Sequence, residues 1–70
     1  MELKYPKAEY DREFEELKKR IRDYQETEDL HPQTQTQMFK QATATFKQAA
    51  ENGEAPANAR MLALLKVGLW

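Results

Sequence analysis

Met61-Leu62-Ala63-Leu64-Leu65-Lys66-Val67-Gly68-Leu69-Trp70 carries one charge, on Lys66, in a chain in which 33% of residues are charged. A segment this apolar has to be buried against something. Drawn as a helix it has two apolar sides. Met61, Leu62, Leu64, Leu65 and Leu69 share a broad face, while Ala59, Ala63, Val67 and Trp70 lie opposite, with Arg60 and Lys66 at the borders. Burying the large side chains of residues 61–70 is worth roughly 10–20 kcal/mol gross. Ordering that stretch costs on the order of 15 kcal/mol. The two nearly cancel, so both faces need a cover.

Two candidate covers lie upstream. Tyr10, Phe14, Leu17, Ile21 and Tyr24 are spaced three or four residues apart, which predicts an amphipathic helix over about 7–25. Its other faces hold charges at supportive spacing, such as Glu15 with Lys19 and Glu16 with Arg20. Glu26 to His31 breaks the pattern, and Pro32 suits the first turn of a second helix. That helix is expected over 32–52, with Met38, Phe39, Ala42, Phe46, Ala49 and Ala50 on one face. Its polar start, Gln33 to Gln37, has weak helix drive and is expected to fray by a turn. His31, alone at the break, reads as a capping or solvated residue. Asn52-Gly53 is a helix stop, and Pro56 opens a third helix expected over 56–69. β-branched residues are few and never alternate over a strand length.

The expected fold is therefore all-α: residues 1–70 as one small three-helix bundle, which oligomerisation through the third helix could complete. The expected core is Tyr10, Phe14, Leu17, Ile21, Tyr24, Phe39, Ala42, Phe46, Ala49, Met61, Leu62, Leu65 and Leu69. Two single-stripe helices can cover the leucine-rich face of the third. Ala59, Ala63, Val67 and Trp70 are then the expected interface, the alanines admitting a close backbone and Trp70 acting as anchor.

Composition removes most chemistry. The chain has no cysteine and one histidine, which leaves no thiolate or histidine metal cluster and no disulfide. There is no serine, and the threonines have no patterned base to activate them. Two isolated glycines cannot form a phosphate loop. An enzyme is not expected, nor any cofactor. A net charge of −1 is not a nucleic-acid-binding balance. The apolar run is half a membrane span, and the start of the chain has no leader-like apolar stretch. The expected setting is the cytoplasm.

Phe39-Lys40-Gln41-Ala42 recurs seven residues later as Phe46-Lys47-Gln48-Ala49, stacking the copies on one face. From Phe46 to Trp70, about a third of the chain, the sequence resembles the middle of acyl-CoA-binding proteins. It shares their aromatic-Lys-Gln-Ala element, a following loop, a Met-Leu pair (Met61-Leu62) and a tryptophan (Trp70). The resemblance implies a bundle that holds a CoA nucleotide, with Phe46 as the motif's aromatic residue and Lys47 as its phosphate-binding lysine. Thr43 stands where that family has a tyrosine, Leu69 where it has a lysine, and Asn52 where it has a glycine. The family's last helix has no counterpart in this stretch.

Three functions follow as expectations. The first is a small interaction protein that self-associates or docks on a protein partner through the third helix. The second is a module for an acyl-CoA-like or other apolar ligand, held between the second and third helices with Lys40 and Lys47 at the mouth and Phe46 beside them. The third is a regulator of a nucleic-acid machine that acts through protein contacts.

Overall fold

The computed structural model describes residues 4–70; the first three residues of the N-terminal stretch lie outside the described part. Three helices follow one another: α1 (Lys7–Thr27), α2 (Pro32–Glu51) and α3 (Pro56–Lys66). No strand occurs among the described residues, and the fold is a small all-α three-helix bundle. It measures 38 × 17 × 16 Å, so α1 and α2 set its length. With 11 residues, α3 spans only about 16 Å, roughly half that length. It packs against both long helices, most extensively against α2.

The ends are set by local chemistry. The α2 start is capped, because the Gln33 backbone N–H donates to His31 Nδ1 at 3.2 Å. Pro32 occupies the first turn, where no N–H is needed. Both glycines close helices by the same device. Gly53 has φ 86°, and the N–H groups of Gly53 and Glu54 donate back to Ala50 and Ala49. Gly68 has φ 77°, and the N–H groups of Gly68 and Leu69 donate to Leu65 and Leu64. Each is a left-handed cap that satisfies the last carbonyls. The second one ends α3 at Lys66, short of the expected Leu69. At the other side α1 runs on to Thr27, two residues past the expected Gln25, with Thr27 Oγ1 donating to the Asp23 carbonyl.

The surface charges pair differently from expectation. Lys18 meets Glu15 at 2.7 Å, three residues apart, where Lys19 was expected. Lys7 meets Asp11 at 3.0 Å. Both pairs are exposed on at least one side and add little to stability.

One contiguous core holds Tyr10, Leu17 and Ile21 from α1, Ala42, Phe46, Ala49 and Ala50 from α2, and Ala59, Ala63 and Leu64 from α3. Tyr10 and Phe46 meet edge to face, with ring centroids 6.3 Å apart. The expected core is corrected at its rim. Phe14, Tyr24, Met61, Leu62 and Leu69 are half-buried, Phe39 is 39% exposed and Leu65 is 50% exposed.

The larger correction concerns which face of α3 turns inward. Ala59 and Ala63 are both 0% exposed, so the face expected to be free is the one inside. The reason is volume. Leu17, Ile21, Tyr10 and Phe46 already fill the space between the helices. At native packing density the opposing positions must then be small. Ala59 and Ala63 meet that condition, and of the α3 leucines Leu64 joins them inside while Leu65 stays half in water.

This inside-out reading has a direct check. Ala63→Leu should destabilise the protein by about 1–3 kcal/mol through overpacking. Leu65→Ala should cost under about 1 kcal/mol, because half of the side chain is already in water. Urea denaturation of the two variants measures both. The reverse order would mean that the leucine face is the buried one.

Candidate interaction surface

Turning Ala59 and Ala63 inward leaves Leu65 half in water on the other side of the 11-residue helix. The outside of α3 is a low apolar ridge centred on Leu65, with Met61 half-buried and Leu62 half-buried against the core; past Gly68, Leu69 also packs on the core. Trp70 is 67% exposed, the most exposed large apolar side chain described. Val67 is half-buried. Of the four residues expected to form an interface, only Trp70 is fully available. Ala59 and Ala63 serve the chain's own core.

Two contacts hold α3 in this rotation. The Tyr10 hydroxyl donates to the Glu54 carbonyl at 2.5 Å, which ties α1 to the turn before α3. Arg60 Nη1 lies 3.3 Å from Glu13 Oε2, which ties the middle of α3 to α1. Glu13 Oε2 and Arg60 Nε are buried and lack aligned hydrogen bonds, so charge attraction carries this contact. A partner charge at this depth fixes orientation more than it adds stability. Asn58 Nδ2 also donates to the Glu54 carboxylate at the start of α3.

Two open grooves flank the bundle. One, of ≈ 530 Å³, runs between α2 and α3 beside the ridge, lined by Ala44, Thr45, Ala49, Leu62 and Leu65 with Lys66 and Glu54 at its borders. The other, of ≈ 500 Å³, runs between α1 and α2 over Tyr10, Phe14 and Phe46. Phe14 and Phe46 stack at 5.3 Å to form its floor, and Lys18 Nζ sits 5.0 Å from the Phe14 ring centre.

The structure spreads the residues of the ligand expectation over different surfaces. Lys47 borders the α1–α2 groove, Phe46 is mostly core, and Lys40 lines neither groove. Lys40 and Lys47 are seven residues apart and share one flank of α2. That flank turns away from α3, whereas Ala42 and Ala49 turn into the core. Lys7, Asp11, Lys47 and Glu51 alternate in sign around the α1–α2 groove, so it presents no net positive charge to a phosphate. Among the described residues no group of three or more His, Cys, Asp or Glu side chains could hold a metal. Among the same residues no helix is long and apolar enough to cross a membrane. Neither a protein-family model, nor a curated protein, nor a solved structure matches this chain.

The α3 ridge was missed by the projection because both sides of the segment are apolar. One signal was present: Ala59 and Ala63 at i and i+4 mark a face that admits a close neighbour, and the nearest neighbour is the chain's own α2.

Burial, then the neighbouring Tyr5, Glu54 and Glu9, push the Tyr10 phenol above its ordinary value of 10.0. The folded state therefore holds this proton more tightly than the unfolded chain. Its contribution is complete below the unfolded value and is lost as pH rises past about 10. Tyr10→Phe should lower stability at neutral pH through loss of the hydrogen bond to the Glu54 carbonyl. Urea midpoints of the variant should also fall less steeply than wild type between about pH 9 and 11. Parallel pH profiles would deny Tyr10 this role.

Proposed function

We propose that this chain is a small interaction protein that docks on a protein surface through the outer face of α3, using Met61, Leu62, Leu65 and the neighbouring Trp70. The observation that carries the reading is the exposure of two large apolar side chains near the end of the chain, Leu65 at 50% and Trp70 at 67%, while Leu62 and Leu69 are half-buried against the core. A lone surface leucine needs no explanation, but an exposed leucine and an exposed tryptophan within one short apolar segment do. Covering Leu65 fully is worth about 1 kcal/mol, and a tryptophan anchor is worth more. The absence of an activated nucleophile, of a phosphate loop and of a strong charge bias in the sequence supports binding over catalysis.

The test is the mass of the protein as it occurs in its source. A lysate that preserves complexes should place wild type well above 8.2 kDa. Leu65→Glu should release it as the single chain while leaving its helical circular dichroism unchanged. Wild type at 8.2 kDa under all conditions would remove the docking reading.

A further inference from the structure

We propose that the surface covered by this ridge is the same surface on a second copy of the chain, related by a two-fold axis that crosses α3 near Met61. The proposal rests on the docking reading above and names its occupant. A two-fold interface needs one patch that carries both a projection and the recess to receive it. This patch carries both. Leu65 projects half-exposed from α3, and beside it the α2–α3 groove is lined by the small side chains of Ala44, Thr45 and Ala49. An antiparallel pairing of the two α3 helices seats each Leu65 ridge in the other copy's groove.

Charge selects that direction. Glu54, in the turn before α3, and Lys66, its last residue, line the same groove from opposite ends of a helix that spans roughly 16 Å. Neither is in an ion pair among the described residues, although the Glu54 carboxylate accepts from Asn58. A two-fold axis between them brings Lys66 of each copy over Glu54 of the other, twice. Parallel packing would instead set like charges together, which disfavours it.

Size sets the extent. A stable interface buries about 800 Å² per partner. That is about a sixth of the 4991 Å² surface of this chain. Eleven residues of α3 cannot supply it alone, so the α2 wall with Ala44 must take part.

Sedimentation equilibrium of the purified full chain, from about 1 to 500 μM, reads the outcome. Wild type should move from 8.2 kDa toward twice that mass. Lys66→Glu should weaken association about tenfold, and the double variant K66E/E54K should recover it. Ala44→Glu changes an exposed helical position on the groove wall and should abolish the dimer with circular dichroism unchanged. Wild type at 8.2 kDa throughout would overturn the second-copy proposal; a native complex lost in Leu65→Glu would show that the docking reading survives it. A wild-type dimer indifferent to Ala44→Glu, or a double variant that folds without recovering association, would overturn the two-fold placement.

Discussion

Everything in this bundle depends on alanine facing a crowded centre. Leu17 and Ile21 are fully buried, and Tyr10 and Phe46 meet edge to face beside them. A third helix can approach that cluster only with small side chains. Ala59 and Ala63 allow it, and Ala42 and Ala49 on α2 complete the close contact. Packing at native density leaves no room for a larger side chain at Ala59 or Ala63, although Leu64 is admitted beside them. The outward ridge is thus a consequence of the core, not a separate feature of the surface.

The turns make that arrangement geometrically possible. Each glycine takes a positive φ that a residue with a Cβ adopts with difficulty, and each ends a helix through paired backbone hydrogen bonds. Gly53 reverses the chain so that α3 begins next to Tyr10, and the hydroxyl of Tyr10 holds the Glu54 carbonyl there. Gly68 stops α3 after 11 residues and leaves Leu69 and Trp70 outside the helix. The short α3 covers only part of the long α1–α2 pair. Phe39, 39% exposed near the start of α2, shows how thin the cover is elsewhere.

Much of this was legible beforehand. The stripe Tyr10–Phe14–Leu17–Ile21–Tyr24 marked α1, Pro32 and Gly53 bounded α2, and Pro56 opened α3, because helix period and backbone restrictions act locally. The end of α3 was legible too, in Gly68, but the apolar residues after it suggested continuation. The position of Lys40 and Lys47 was not legible. Their common flank follows from helix period, but which groove that flank borders depends on where α1 and α3 pack.

The sequence by itself determined three helices, their starts and the presence of two apolar faces on the last one, since each of these is a property of a few neighbouring residues. Which face goes inside was decided only in the tertiary structure. Hydrophobicity is non-directional and favours burying either face. Volume is not, and the space beside Leu17, Ile21 and Phe46 takes Ala59, Ala63 and Leu64 and leaves Leu65 half in water.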